Sequence, residues 1–178
     1  MKKYIILLSF LCASVGIWLF YDKPSQITES KESLQDMPIT HIVVEKSKRT
    51  LTLYNNDEIV KIYSIALGGN PIGHKQFEGD KKTPEGTYVI DSKNPNSRYF
   101  LNLGISYPNE ADKAFAKNAG KSAGGDIKIH GLPNGFGFAS AIFKAYGDWT
   151  NGCIALDNES MQEIYNLVPI NTPITILP

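Results

Sequence analysis

One cysteine and one histidine, each beside a glycine, are the residues of this sequence best suited to covalent chemistry. Cys153 follows Gly152, and His130 precedes Gly131, with 23 positions separating the thiol from the imidazole. A thiol and an imidazole that meet in the folded protein form a nucleophile with its general base. Glycine beside the thiol allows a tight turn, close approach of a substrate, and backbone amides that converge as an oxyanion hole. This pattern indicates acyl transfer through a thioester.

Structural roles for both residues remain open on the residue pattern alone. A histidine at the end of a strand is commonly a packing residue, and a free cysteine commonly behaves as a small buried hydrophobic residue. The second cysteine, Cys12, lies in an apolar N-terminal run, so Cys153 has no internal disulfide partner in the rest of the chain. An idle thiol in an oxidising compartment is a liability, which favours a functional role for Cys153.

The first 21 residues differ from the rest of the chain. Lys2 and Lys3 precede 18 uncharged residues, 4–21, which would span roughly 27 Å as a helix. We predict a signal anchor or a signal peptide over residues 1–21 and favour the anchor, because no A-x-A-like cleavage site follows. The two lysines would stay inside, so the remainder would face outward. Residues 22–37 are polar and are predicted to be a flexible linker, which leaves residues 38–178 as one folded domain.

Short β-type segments dominate that domain. Alternating apolar and polar residues predict strands in HIVVEK, TLTLYNNDEIVKIYSIAL, TYVIDSK, RYFLNLGISY, DIKIHG, GCIAL and TPITIL, with a hairpin turn at residues 55–57. Two helices are expected, one capped by Asn109 and ended by Gly120, the other capped by Asn158 and ended by Pro169. The predicted fold class is mostly β, a sandwich or barrel with one or two peripheral helices.

Two long glycine-containing connections, residues 68–86 and 132–151, exceed simple turns and are expected to be functional or disordered. The second is rich in large apolar side chains, and we expect it to pack down and form a wall of a cleft. These side chains are Phe136, Phe138, Ile142, Phe143, Tyr146 and Trp149.

Charge and ligand spacing argue against two classes of function. The 18 Lys plus Arg and 18 Asp plus Glu residues cancel, so the chain has no basic field to bind nucleic acid. The three scattered histidines and Cys153 contain no close ligand pair, so no metal site is expected. His74 is expected to be solvated and His41 structural, and Asp148 is expected to form a weak surface pair with Lys144.

Three motifs surround the candidate nucleophile and the first long connection. His130-Gly131 is followed by TNGCI at residues 150–154, EGDKKTPEGTY occupies residues 78–88, and DWTNGC occupies residues 148–153. They resemble the YkuD-type L,D-transpeptidase catalytic domain, which has a His followed by Ser or Thr, one residue and Gly-Cys. The family also has a Gly-Asp-x-basic-Thr-Pro-x-Gly stretch and a branch with Asp-Trp-Thr-x-Gly-Cys. The resemblance covers almost all of residues 40–178.

The resemblance implies a bacterial envelope enzyme that acts on peptidoglycan stem peptides outside the cytoplasmic membrane, without a metal or organic cofactor. Cys153 would attack the carbonyl between the L-centre of a diamino acid and the terminal D-residue, and His130 would serve as general base and then acid. The Gly152 and Cys153 amides would form the oxyanion hole, and the Gly131 carbonyl would orient the imidazole. Candidate substrate-binding residues are Thr150, Asn151, Trp149, Tyr146, Thr83 and Pro84.

The acyl acceptor is not specified by the resemblance. An amine would give a cross-link or an attached protein, whereas water would make the domain an L,D-carboxypeptidase or another hydrolase that releases wall-linked groups. A catalytically silent wall-binding module is a further interpretation. Asn151 stands where many family members have His, and Ala155 where many have Arg or Asn. The sequence leaves the oligomeric state open.

Overall fold

The computed structural model describes residues 37–178. The predicted signal or anchor, residues 1–21, and all but the last residue of the predicted linker, residues 22–37, lie outside the described residues. Within the described part of the chain, no helix combines the length and apolar character needed to cross a membrane.

Strands outnumber helices in residues 37–178. The elements are β1 His41–Glu45, β2 Thr50–Asn55, β3 Glu58–Ser64, β4 Gly86–Ser97, β5 Phe100–Ile105, α1 Glu110–Asn118, β6 Lys128–His130, α2 Ser140–Tyr146, β7 Ile154–Ala155, α3 Asn158–Leu167 and β8 Pro173–Leu177. The strands form one mixed sheet in the order β3-β2-β1-β8-β4-β5-β6-β7. The mostly β fold class predicted from the sequence is therefore confirmed.

The sheet changes direction along β4. Residues 86–89 of this strand pair with β8, whereas its later residues pair with β5, beginning at Ile90. The register shifts between Ile90 and Ser92, and again between Asn94 and Ser97. Such bulges bend a strand and increase its twist, so the two parts of the sheet share one apolar core. Its fully buried members include Ile42, Leu51, Leu53, Ile90, Leu103, Ile129, Ile154, Ile174 and Met161.

Side-chain caps begin α1 and α3. The Asn109 side chain accepts from the Asp112 amide while the Asp112 carboxylate accepts from the Asn109 amide, a capping box that confirms the predicted start of α1. The predicted cap of α3 is wrong by one residue, because Asp157 caps this helix. The Asn158 side chain instead accepts from the Leu132 amide at 2.9 Å, which ties α3 to the segment after β6.

Asp80 organises the connection between residues 68 and 86. Its carboxylate accepts hydrogen bonds from the Lys75 ammonium and from the amides of Gln76, Phe77 and Lys82. Burial raises the pKa of this carboxyl, but the hydrogen bonds from Lys75 and the three amides prevail and lower it to about 2. One carboxylate therefore fixes the backbone on both sides of itself.

A buried lysine ties the same connection to the end of β1. Lys46 Nζ donates to the Gly73 carbonyl at 2.8 Å, to the Thr83 carbonyl at 3.0 Å and to Glu85 Oε1 at 2.7 Å. Burial lowers the pKa of this amine, and the hydrogen bond to Glu85 acts in the opposite direction. Because only 3% of the Lys46 side chain is exposed, water cannot replace these three acceptors, and the buried ammonium depends on them for its hydrogen bonds.

The change Asp80→Asn is expected to lower the free energy of unfolding at neutral pH by about 2 kcal/mol. The folded pKa of about 2 lies below the value near 4 of an unfolded aspartate. The stabilisation is therefore complete above the unfolded pKa and is lost as the pH falls through the folded one. Urea denaturation should show a difference between wild type and Asp80→Asn that shrinks from about pH 6 to about pH 3; a constant difference would contradict this assignment.

Candidate active site

Strand pairing places Cys153 and His130 on one face of the sheet. The strands β6 and β7 run parallel, with Ile129 paired with Ile154 and His130 paired with Ala155. Alternate residues of a strand project to the same face, and so do residues paired across two strands. Cys153, two residues before Ala155, therefore projects on the side of His130. Both side chains line one open pocket.

Three segments form the walls of this pocket, and the thiol is partly exposed to it. The β4–β5 hairpin contributes Asn94, Asn96, Ser97, Arg98, Tyr99 and Asn102; β6 and the residues before it contribute Asp126, Lys128 and His130; the loop before β7 contributes Trp149, Thr150, Asn151 and Cys153. Residues 37–178 contain no cluster of three or more His, Cys, Asp or Glu side chains arranged to hold a metal ion.

The imidazole of His130 has a defined tautomer. Its Nδ1 lies 2.7 Å from the Gly131 carbonyl oxygen. Because a carbonyl oxygen can only accept, Nδ1 carries the proton and Nε2 presents its lone pair. Burial lowers the pKa of His130, the Gly131 hydrogen bond opposes this effect, and the Lys128 charge adds to it. The ring is therefore neutral near pH 7 and able to take up a proton at Nε2.

Aromatic side chains pack around the same imidazole. The Tyr99 ring centroid lies 4.6 Å from that of His130, and the Trp149 ring meets it edge-on with a centroid distance of 5.6 Å. Trp149 in turn packs on Phe143 of α2, with 5.0 Å between centroids. His130 is only 4% exposed, so these contacts restrict its ring to one orientation.

The thiol is uncharged at rest. Burial raises the pKa of Cys153, and the nearby Asp126 carboxylate also raises it. A hydrogen bond from the Lys128 backbone and the charges of Lys128 and Lys75 act in the opposite direction without reversing the shift. The Sγ–H donates to the Asp126 carbonyl at 3.6 Å. The resting site is thus a neutral thiol in the same pocket as a neutral imidazole.

Thr150 holds the loop before β7 in its turn. Its Oγ1 accepts from the Gly152 amide at 3.0 Å and donates to the Cys153 carbonyl at 2.7 Å. The predicted oxyanion role of the Gly152 amide does not fit this geometry, because that N–H already has an acceptor inside the loop. The Cys153 amide, by contrast, has no backbone or side-chain acceptor within residues 37–178.

Backbone-to-backbone packing supports this turn from below. Gly152 has φ of 130°, and a Cβ there would lie 2.6 Å from the Lys82 carbonyl oxygen. A Cβ on Gly68 would lie 2.2 Å from the Lys81 carbonyl oxygen and 3.0 Å from the Gly152 Cα. The Gly68 amide donates to Thr83 Oγ1 at 3.0 Å. The connection 68–86 therefore packs directly against the loop before β7 and supports it.

Five of the six predicted substrate-binding residues fall into two groups, and the sixth, Tyr146, lies elsewhere. Trp149, Thr150 and Asn151 line the pocket. Thr83 and Pro84 are buried and do not line the pocket, because they belong to the connection 68–86 that packs beneath the loop before β7. Substrate contact by Thr83 and Pro84 is therefore not supported by their placement.

Tyr146 belongs to α2, a helix that the sequence analysis did not anticipate. It does not line the pocket, and its side chain is 78% exposed. Phe138 and Ile142, spaced at four-residue intervals before it, are 87% and 68% exposed. The expectation that the connection 132–151 packs down is correct for Phe143 and Trp149 and wrong for this exposed stripe. Hydrophobicity alone gave no indication of which face would be covered.

Asp148 pairs with Arg49 and not with Lys144. The Arg49 guanidinium donates to both carboxylate oxygens at 2.7 to 3.1 Å, and the Leu67 amide donates to Asp148 Oδ1 at 2.9 Å. The helix α2 ends at Tyr146, and Gly147 after it has a φ of 80°, so Asp148 does not continue the helix that carries Lys144. These contacts fix the start of the loop before β7 to the residue before β2 and to the chain after β3.

His74 is bound within the protein, contrary to the expectation that it is solvated. Its Nε2 lies 3.0 Å from Asp112 Oδ1, and its Nδ1 accepts from the Glu85 amide at 2.9 Å. His41 stacks on Tyr54 with 4.6 Å between ring centroids, in keeping with a structural role.

Known proteins carry the same domain. Residues 39–176 match the family model of YkuD, the L,D-transpeptidase catalytic domain. This chain belongs to the YkuD family. YafK of Escherichia coli K12 is 29% identical over 147 residues, which cover 79% of this chain and 51% of YafK. YkuD of Bacillus licheniformis is 30% identical over 142 residues, which cover 77% of this chain and 65% of that relative. The chain spans about half to two thirds of the length of these relatives.

Solved structures share the YkuD fold. Pgp2 of Campylobacter jejuni, described as a helical cell shape determining protein, superposes with a TM-score of 0.57 at 28% identity, covering 78% of this chain and 47% of Pgp2. The L,D-transpeptidase of Mycobacterium smegmatis superposes with a TM-score of 0.51 at 16% identity, covering 77% and 58%; this likeness shows the fold alone. The predicted L,D-transpeptidase fold is confirmed.

The change Thr150→Val is expected to destabilise the YkuD domain by about 1 to 3 kcal/mol. Valine keeps the shape of threonine but leaves the buried Gly152 amide without its acceptor. Thr150→Ser retains the hydroxyl and should restore most of the stability. Thermal unfolding of the three proteins measures this; equal midpoints for wild type and Thr150→Val would show that the hydroxyl does not hold the loop.

Proposed function

We propose that this YkuD domain is a cysteine acyltransferase that acts on peptidoglycan stem peptides through a thioester. The observation that carries the proposal is the shared pocket of Cys153 and His130, in which Nε2 has a free lone pair while Nδ1–H is held by the Gly131 carbonyl. A partly exposed thiol in an open pocket favours this role over a silent wall-binding module.

Acylation begins from the neutral pair. The Cys153 thiol gives its proton to His130 Nε2, and the sulfur attacks the carbonyl carbon between the diamino acid and the terminal D-residue. The Cys153 amide is the loop donor available to the resulting oxyanion. When the carbon–nitrogen bond breaks, the imidazolium returns the proton to the leaving amine. The products of this half-reaction are a thioester on Cys153 and a free D-amino acid.

Burial of the imidazole has opposite effects on the two proton transfers. A lowered pKa makes His130 a weaker base towards the thiol, but it makes the imidazolium a stronger acid towards the leaving amine. The Gly131 carbonyl accepts from Nδ1–H throughout and stabilises the imidazolium while it exists. Gly131 thus orients the ring and supports its charged state.

An amine resolves the thioester in the second half-reaction. The acceptor nitrogen attacks the thioester carbon, His130 removes the proton of the acceptor, and the sulfur leaves as a thiol after receiving it. The product is a cross-linked stem peptide or a protein attached to the wall. Water in place of the amine would make the domain an L,D-carboxypeptidase or another hydrolase.

We propose in addition a location on the outer side of the cytoplasmic membrane, with residues 1–21 as anchor. We also propose a contribution to cell shape, the role that the name of Pgp2 describes.

Incubation with a stem tetrapeptide or a carbapenem is expected to add one acyl group at Cys153. Intact-protein mass spectrometry should show the adduct on wild type and none on Cys153→Ala, because the sulfur is the attacking atom. Peptide mapping after digestion locates the modified residue. A wild-type protein that stays unmodified by both reagents, under conditions where a known relative is acylated, would exclude the proposed activity.

Product analysis of the same reaction separates transfer from hydrolysis. With an added amine acceptor, a transferase yields the cross-linked peptide in excess over the tripeptide, whereas a hydrolase yields tripeptide at the same rate with or without the amine. The Cys153→Ala protein is the matched control for both products. Exclusive hydrolysis would replace the proposed acceptor by water and leave the nucleophile in place.

The acylation rate is expected to fall only on the acid side of pH 6.5. His130 acts as a base when unprotonated, and burial sets its pKa below the ordinary 6.5. His130→Ala should slow acylation by roughly 10² to 10⁴-fold.

Alkylation of Cys153 by iodoacetamide should instead rise steadily above about pH 8, because the pKa of the thiol is raised. Rapid alkylation that persists at about pH 5 would reveal a thiolate–imidazolium pair and contradict the neutral resting state.

A further inference from the structure

The pocket is lined by a guanidinium that no carboxylate of residues 37–178 neutralises. Arg98 lines the pocket from the turn between β4 and β5 and is exposed. Of the other charged lining residues, Lys128 forms a salt bridge with Asp126. The Arg98 guanidinium takes part in no salt bridge or side-chain hydrogen bond with residues 37–178. The pocket therefore carries one uncompensated positive charge.

The backbone that carries Arg98 is fixed relative to the catalytic histidine. Asn134 donates from its amide to the Arg98 carbonyl at 3.0 Å. Its side chain accepts from the Phe100 amide at 2.9 Å and donates to the Ser97 carbonyl at 3.0 Å. Asn134 follows His130 by four residues, so three hydrogen bonds clamp the hairpin turn to the chain that leaves β6.

A guanidinium in this position is suited to bind a carboxylate. Its planar fork of N–H donors matches the two carboxylate oxygens, and such charge-assisted pairs are among the stronger hydrogen bonds in proteins. The other hairpin side chains that line the pocket are uncharged and do not neutralise the guanidinium; they are Asn94, Asn96, Ser97, Tyr99 and Asn102. A stem peptide offers a carboxylate at its terminal D-residue and, where its diamino acid is diaminopimelic acid, a second one on the side chain of that residue.

We propose that Arg98 binds a free carboxylate of the stem peptide and so positions the scissile carbonyl over Cys153. This inference rests on the proposed function, since it takes the stem peptide as the ligand. The guanidinium acts on binding and orientation, whereas the thiol and the imidazole act on the bond that breaks.

Binding measured without chemistry tests this inference. In a Cys153→Ala background, three tetrapeptides are titrated by calorimetry: one with both carboxylates free, one amidated at the terminal D-residue and one amidated at the diamino acid side chain. The peptide with both carboxylates free should bind about 10- to 100-fold more tightly than one of the two amides. The position at which amidation weakens binding identifies the carboxylate that Arg98 binds.

Adding Arg98→Gln should remove that preference. The affinity for the peptide whose amidation weakened binding should stay unchanged. Arg98→Lys should retain part of the preference. Lys117→Gln on the exposed face of α1 is the matched control, because it removes the same charge outside the pocket. Equal loss of affinity for all three peptides in Arg98→Gln, or no loss for any, would overturn the inference. Since the assay needs no acylation, a wild type that binds with this preference but forms no thioester would refute the proposed function alone.

Discussion

The short parallel pairing of β6 with β7 is the constraint on which this site depends. A slip of one residue would turn Cys153 to the opposite face of the sheet. Ile129 and Ile154, both fully buried, hold the register through the core. On the other side of β7, Ala66 and Ala155 exchange two backbone hydrogen bonds of 2.8 Å. The two-residue strand is thus paired along both edges, which compensates for its shortness.

The Gly, Asp, Thr and Pro residues of segment 79–84 support the loop that carries Cys153 without lining the pocket. Asp80 gathers three amides and an ammonium, and Thr83 accepts from the Gly68 amide. These bonds place the Lys82 carbonyl against Gly152 so closely that only glycine fits there. Motif similarity can therefore mark the support of a catalytic loop as well as its reactive groups.

The sequence was sufficient to predict the strands, because their alternation reflects a sheet with one face on the core. It also singled out Cys153 and His130 through their glycine neighbours. It could not predict contacts between distant segments. Asp148 binds Arg49, which lies 99 positions away, whereas local spacing pointed to Lys144. The helix α2 was missed because two of its three large apolar side chains, Ile142 and Tyr146, face outward, against the assumption that such residues pack inside. Arg98 was not singled out, since its importance comes from the absence of a partner among the described residues.

A neutral resting pair reconciles an exposed thiol with a location outside the cytoplasm, as proposed here. Oxidation proceeds mainly through the thiolate, and so does uncontrolled alkylation. Because burial raises the pKa of Cys153 and lowers that of His130, proton transfer between them is unfavourable until a carbonyl is in place to receive the sulfur. The cost of forming the nucleophile is then offset by substrate binding and by stabilisation of the oxyanion. A site of this kind limits reactivity to the moment when substrate is bound, and a thiolate kept permanently at the pocket mouth could not.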